Sequence, residues 1–313
     1  MDLESFFKTT RDDIEEMLNA QTEGTEEKER LRYFLNHGKR LRPLLCILVF
    51  KACGGKEEGY KEALDLAATI ELQHSASLVH DDIIDGDLTR RDRSSYHKIF
   101  GVEDAILIGH RAIVLGFKNA LGHSPEIIET LLDVWEESLE GELKDIETRK
   151  ETVTLLESGV NYYFDAVEKK TASLFAGAAK IGSQEAKAPE ELQNIFWEYG
   201  KQLGIAYQLA DDSKDICGGN IEALSLTWIV KQLDDVTRRF FIGIMKKGPK
   251  SLTNVLSELN IDAQGLFLDE IAKRLRIAEN IAKSTAIPEN KFKPLLLDAP
   301  NYMIDKLLEN KYD

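Results

Sequence analysis

The feature that most limits what this chain can fold into is its punctuation. Only seven prolines interrupt 313 residues. Six of them fall in stretches that read as connections: Pro125 in G-H-S-P, Pro189 in Q-E-A-K-A-P, Pro249 in K-K-G-P-K, and Pro288, Pro294 and Pro300 at turns towards the C-terminus. Between them apolar residues recur every three or four positions, the period of a helix with one buried face. From Lys61 to His80, for instance, Ala63, Ala67, Ile70, His74 and Ser77 share a face. No run of four to eight residues alternates as a half-buried strand does, and no hairpin turn joins two apolar runs. The pattern predicts ten to thirteen helices and no sheet, with short polar loops at 53–59, 86–95, 122–125, 182–189 and 217–220. No Pro/Ser-rich linker divides the chain, so residues 1–313 read as one all-α helical bundle.

Composition narrows the class. At 43% hydrophobic residues the chain can offset its ordering entropy, which excludes disorder as its main state. The longest apolar run, Leu44 to Phe50, ends at Lys51, far short of the roughly 18 residues a membrane span needs. The acidic start (Met1, Asp2, Leu3, Glu4) has no signal-peptide pattern, and Cys46, Cys53 and Cys217 lack metal-ligand spacing. A cytoplasmic protein is expected. A net charge of −15 argues against nucleic acid as a partner.

Two segments echo each other. Leu78-Val79-His80-Asp81-Asp82-Ile83-Ile84-Asp85 and Gln208-Leu209-Ala210-Asp211-Asp212-Ser213-Lys214-Asp215 each end an apolar helix in a D-D-x-x-D cluster. On a helix Asp81 and Asp85 share a face with Asp82 on the flank, and Asp211, Asp215 and Asp212 repeat that arrangement. Like charges at this spacing destabilise a helix, so something must compensate; one such cluster alone reads as a solvated helix end, and it is the pair that points to metal. Mg²⁺ is held by one or two carboxylates together with substrate phosphates, and two facing clusters could clamp a diphosphate that way. A calcium loop starting at Asp81 fails, because Ile83 stands where an oxygen ligand is needed and Asp92 replaces the closing glutamate. Basic residues complete the pattern. Gly38-Lys39-Arg40-Leu41-Arg42-Pro43 concentrates three cations, and Arg90 and Arg91 follow the first acidic cluster. Such side chains hold phosphate oxygens, whereas Arg93 and Lys98 read as surface ion-pair partners. His80 and His97 read as structural, and Tyr162, Tyr163 and Phe164 as core.

These residues resemble the trans-isoprenyl (polyprenyl) diphosphate synthases, through five blocks in the family's order. They are G-K-R-L-R-P at 38–43, H-S-A-S-L-V-H-D-D-I-I-D at 74–85, R-R with H-K-x-F-G at 90–101, K-K-T-A-S-L-F at 169–175 and G-I-A-Y-Q-L-A-D-D-x-x-D at 204–215. The resemblance implies the isoprenoid synthase fold, an orthogonal helical bundle around a deep central cavity, working as a homodimer with about three Mg²⁺. It implies coupling of an allylic prenyl diphosphate to isopentenyl diphosphate. Asp81, Asp82, Asp85, Asp211 and Asp215 would hold the metals, and Arg90, Lys170 and Gln208 would contact the allylic substrate. Lys39, Arg42, His74 and Arg91 would hold the diphosphate of isopentenyl diphosphate, with Thr171 near the developing cation.

Departures from the family pattern are local. After Asp215 the lysine-bearing stretch is missing, with no lysine until Lys231, and Lys214 stands inside the cluster, where it could reach the diphosphate instead. Asp92 and Ser94 replace a usual Gly and Pro, and His110 a usual Asp. A terpene cyclase would not need the second basic pocket. Irregular coupling of two allylic diphosphates, or a non-catalytic partner subunit, are the remaining alternatives. In the family a bulky side chain four or five residues before the first cluster stops chain growth. Here Ala76 and Ser77 are small, so a product of four or more isoprene units is expected, with Thr69, Ile70, Ile113 or Phe117 as a deeper floor.

Overall fold

A computed structural model describes residues 2–91, 93–248 and 252–309, so Asp92 and Pro249 lie outside the described residues. The described residues form fifteen α-helices. The first seven are α1 Leu3–Thr22, α2 Lys28–Leu35, α3 Leu41–Ala52, α4 Tyr60–Asp85, α5 Tyr96–Phe100, α6 Val102–Ala120 and α7 Pro125–Ser158. They are followed by α8 Tyr163–Val167, α9 Ser173–Glu185, α10 Glu190–Cys217, α11 Ala223–Lys231, α12 Asp235–Met245, α13 Leu252–Glu258, α14 Ala263–Ala282 and α15 Lys293–Leu308. The all-α expectation holds, but the count exceeds thirteen. Helices of five to seven residues, such as α5 and α8, are too short to display a periodic stripe.

Helix α4 is buried on nearly every side between Ala63 and Ala76, and α1, α3, α6 and α9 surround it. Helix α10 lies between α9 and α14. One apolar cluster joins α3, α4 and α9 through Ile47, Leu72 and Phe175. A second is built on Tyr163, Trp228 and Phe267, with Tyr163 stacked on Trp228 at 5.2 Å and Phe267 edge-on at 4.6 Å.

Three expectations are corrected. A two-residue antiparallel ladder, β1 Thr89–Arg90 with β2 Arg93–Ser94, occupies the loop read as sheet-free. The expected loop 182–189 is helical as far as Glu185. Pro300 lies inside α15 instead of at a turn. A proline there cannot donate to the carbonyl four residues earlier, and that carbonyl, Leu296 O, accepts from the fully buried Tyr199 hydroxyl at 2.7 Å. Long-range hydrogen bonding thus compensates a local defect.

At the end of the bundle where α4 and α7 begin, His123 lies between Asp65 (Nε2 to Oδ2, 3.0 Å) and Glu185 (Nδ1 to Oε2, 3.6 Å). Hydrogen bonds to these carboxylates push its pKa up to about 9.

Tyr199→Phe should cost about 1–3 kcal/mol of unfolding free energy, and less in a Pro300→Ala background where the Leu296 carbonyl regains a backbone donor, as a denaturation cycle would show. His123→Leu should cost about 1–3 kcal/mol at neutral pH. Because the folded pKa is raised, that stabilisation is complete below pH about 6.5 and fades as pH rises through about 9, so the two proteins should converge in alkaline buffer.

Candidate active site

The last turn of α4 carries Asp81, Asp82 and Asp85 and ends at Gly86, whose φ of +73° makes a left-handed cap that a side chain would strain. Asp81 and Asp85 face a cavity of about 800 Å³, whereas Asp82 does not line it. Asp82 is buried and accepts from Arg90 Nε. The β1–β2 hairpin makes this contact possible. It turns through Arg91, itself left-handed at φ +52°, folding Arg90 back onto α4 and placing Arg91 in the cavity wall.

Helix α10 repeats the division. Asp211 and Asp215 line the cavity, and Asp212 is buried. Asp212 accepts from the Tyr163 hydroxyl, from Ser225 at 3.0 Å and from Gln208 Nε2 at 2.8 Å, and Gln208 Oε1 accepts from the Thr171 hydroxyl at 2.8 Å. Lys170 comes from a wider π-type turn, Glu168–Ala172, a distortion frequent at functional sites. That turn lies so close to α7 that a Cβ on Gly141 would sit 2.3 Å from Lys170 N. Lys170 Nζ then reaches Glu142 at 2.6 Å and Asp145 at 2.8 Å, and Arg149, one turn further along α7, reaches Asp85 at 2.5 Å.

The remaining wall is cationic. Lys39 Nζ donates to the Leu307 carbonyl at 3.1 Å. Arg42 lies 4.4 Å from the Phe175 ring centre and donates to His74 Nε2 at 2.9 Å. A guanidinium only donates, so His74 Nε2 accepts and the ring is neutral. Burial, followed by the charge of Arg42, holds its pKa well below the usual value. No carboxylate among the described residues pairs with Arg42, and Arg42 Nε and His74 Nδ1 are buried without partners. A buried cation in that state favours an anionic ligand. Arg40, between Lys39 and Arg42, has a different job: it is buried and binds Glu15 and Glu71, each at 2.7 Å.

Burial, followed by the charge of Glu142, pushes Asp81 up to about 7. Asp211 and Asp215 are raised for the same first reason, Asp211 also by its neighbour Asp215. Glu142 Oε1 is buried with no hydrogen-bond partner. Hard oxygen donors with unbalanced negative charge fit a hard divalent cation. Among the described residues, however, no three His, Cys, Asp or Glu side chains converge as a complete cage. The donor set suits Mg²⁺ that completes its shell with phosphate oxygens.

Of the residues expected from the sequence, Lys39, Arg42, His74, Ser77, Asp81, Asp85, Arg90 and Arg91 line this one cavity, as do Lys170, Thr171, Gln208, Asp211 and Asp215. Three are placed elsewhere. Asp82 holds Arg90 instead of facing the metal side. Ala76 is fully buried in the core, off the cavity wall. Lys214 is exposed in the last turn of α10, outside the wall, although its charge acts on Asp211 and Lys39. The sequence reading missed Glu142, Asp145 and Arg149, whose helical spacing was lost in an acid-rich helix. It also missed Tyr163 and Ser225, which anchor Asp212.

Comparison with known proteins places the chain in a family. The family model described as polyprenyl synthetase matches residues 26–223. Geranylgeranyl diphosphate synthase of Methanosarcina mazei is 31% identical over 94% of this chain and 93% of its own length. Geranylfarnesyl diphosphate synthase of the same organism is 38% identical over 56% of this chain. There, as in geranylgeranyl pyrophosphate synthase of Geoglobus acetivorans, the match spans under two thirds of the relative, 57% and 66% respectively. The solved structure of geranylgeranyl pyrophosphate synthetase from Geoglobus acetivorans superposes over 97% of this chain and 99% of its own with a TM-score of 0.76 at 26% identity. With its profile matched over more than half its length and its fold matched nearly throughout, the chain belongs to the polyprenyl synthetase family.

Proposed function

We propose that the protein is a prenyltransferase coupling an allylic prenyl diphosphate to isopentenyl diphosphate, giving a polyprenyl diphosphate of about C20 or longer. One observation carries this reading: a single cavity has metal-competent carboxylates on one side (Asp81, Asp85, Asp211, Asp215) and a buried, carboxylate-free cation, Arg42, on another. Two diphosphates of different roles fit such a cavity, and the relatives named geranylgeranyl and geranylfarnesyl diphosphate synthases support the chain length. We read residues 1–313 as one cytoplasmic domain; all three cysteines are free, and no helix among the described residues is long and apolar enough to cross a membrane.

In this reading Asp81, Asp85, Asp211 and Asp215 would hold about three Mg²⁺, which would supply positive charge against the departing allylic diphosphate. Arg90 and Lys170 donate to its oxygens, and Lys170 turns from Glu142 and Asp145 to do so. Lys39, Arg42, Arg91 and the His74 Nδ1–H hold the second diphosphate. Heterolysis of the allylic C–O bond leaves a carbocation, which the alkene of isopentenyl diphosphate attacks, and the released diphosphate takes the proton lost from the adduct. No side chain acts as a strong base. Leu78, Ile106, Trp135, Leu139 and Leu174 supply apolar wall around the tail.

The tail wall differs from the sequence expectation. Thr69, Ile70, Ile113 and Phe117 do not line the cavity; Ser77, Ile106, His110, Trp135 and Leu139 do. A homodimer is supported by exposed apolar residues at helical spacing, Leu107, Val114 and Leu121 at α6 and Leu132, Leu139 and Leu143 on α7.

Incubation with Mg²⁺, labelled isopentenyl diphosphate and a series of allylic diphosphates should give labelled chains of C20 or longer. Turnover only of two allylic partners, with no extension, would overturn the reading. Ser77→Phe should shorten the products, whereas Ala76→Tyr should overpack the core by about 1–3 kcal/mol instead of resetting chain length. Asp85→Asn should raise the Mg²⁺ concentration needed for half-maximal rate. Asp82→Asn should leave it unchanged while lowering kcat/KM for the allylic substrate about tenfold, through loss of Arg90 positioning.

A further inference from the structure

Charge is unevenly spread along this acidic chain. Residues 231–250 hold six basic and two acidic side chains, against 34 basic and 53 acidic in the remainder. Most of that segment is α12, capped at its N-terminus by Asp234, whose carboxylate accepts from Val236 N and Thr237 N. The helix buries Phe241 completely, and Ile242, Ile244 and Met245 pack onto the Tyr163–Trp228–Phe267 cluster. Its opposite side is also apolar: Val236 is 71% exposed and Phe240 60% exposed, the most exposed aromatic ring among the described residues. Arg239 is exposed on the helix beside them, and Lys246 and Lys247 are exposed in the turn just past its last residue. Lys246 pairs with Glu157, whereas no carboxylate among the described residues pairs with Arg239 or Lys247.

The placement of α12 is informative. Lys246 meets Glu157 in the last turn of α7, beyond Arg149 and beyond the break in that helix at Glu151. Lys231, just before α12, donates to the Gly159 carbonyl. Arg149 pairs with Asp85 at the carboxylate-lined end of the cavity, so α12 lies past that end of α7.

We propose that this face of α12 docks on the surface of an anionic lipid bilayer, with Val236 and Phe240 among the headgroups and Arg239, Lys246 and Lys247 against the lipid phosphates. An interfacial helix has this composition, an aromatic and aliphatic face flanked by lysine and arginine. Docking would hold the mouth of the cavity where a C20 or longer product can pass into lipid, and in that respect the proposal rests on the prenyl-transfer reading. A second copy of the chain is a poorer occupant. A two-fold contact sets the same patch against itself, bringing Arg239 and Lys247 opposite their own copies. The apolar stripe on α7 has the reverse character, since residues 125–150 hold nine acidic and three basic side chains, so an anionic surface would repel it.

The test is co-sedimentation of the full chain, with Mg²⁺ present, on vesicles of phosphatidylcholine with or without phosphatidylglycerol. Binding should require the anionic lipid and fall at least tenfold between low and high salt. Val236→Ser with Phe240→Ser should weaken it about tenfold, as should Arg239→Gln with Lys247→Gln, and the latter pair should flatten the salt dependence. All four side chains are exposed, so thermal unfolding and turnover of a short allylic substrate without vesicles should be unchanged. Failure of the wild type to bind anionic vesicles would overturn the proposal, as would undiminished binding by both double variants. A drop in the sedimentation mass of the Val236→Ser/Phe240→Ser protein in vesicle-free buffer would assign the face to self-association and equally overturn it. Sedimentation needs no turnover, so a negative result leaves the prenyl-transfer reading standing.

Discussion

Carboxylates crowd the C-terminal ends of two long helices, α4 and α10, where the helix dipole already carries negative charge. Asp81 with Asp85, and Asp211 with Asp215, add like-charge repulsion at four-residue spacing. Around one cavity they meet Glu142 from α7, with Asp145 buried behind it against Lys170. The fold restrains this excess with few cations: Lys170 is occupied by Glu142 and Asp145, Arg149 by Asp85, and Arg90 by Asp82. Asp81 is left with a raised pKa and no paired cation among the described residues. An exposed ion pair such as Arg149–Asp85 contributes no more than about 1 kcal/mol, so a divalent ion can displace it.

Each D-D-x-x-D cluster is consequently two devices. The outer aspartates face the cavity, while the middle one turns about 100° around the helix into protein. Asp82 fixes Arg90, and Asp212 fixes Gln208, Tyr163 and Ser225, linking Thr171 to α11 through a continuous chain of hydrogen bonds. Burial raises Asp212 to about 6, but three donors stabilise its charged form. The cationic wall has complementary logic: Arg42, donating to His74 and lying against the Phe175 ring with no carboxylate paired to it among the described residues, is stored in a state that an anion improves.

Much of this was legible in the sequence because it depends on spacing. The i, i+4 aspartates and the cations of G-K-R-L-R-P are local patterns, and the structure brings them to one cavity. What could not be read depends on partners distant in the chain. Glu142 and Asp145 matter because Gly141 lets α7 approach Lys170, nearly thirty residues later. Arg40 looked equivalent to Lys39 and Arg42 until Glu15 and Glu71 drew it inward. Pro300 signalled a turn, and Tyr199, a hundred residues earlier, allowed it into a helix. Ala76 has the right size for a tail wall but sits on the side of α4 that meets core.

The central claim is that the protein supplies half of a metal site and the substrate the other half. Calorimetric titration of the protein with Mg²⁺, with and without inorganic diphosphate, tests it directly. The account predicts weak binding of Mg²⁺ alone, and binding at least tenfold tighter with more than one ion per chain once diphosphate is present. Tight Mg²⁺ binding without diphosphate, or an affinity indifferent to it, would contradict the account.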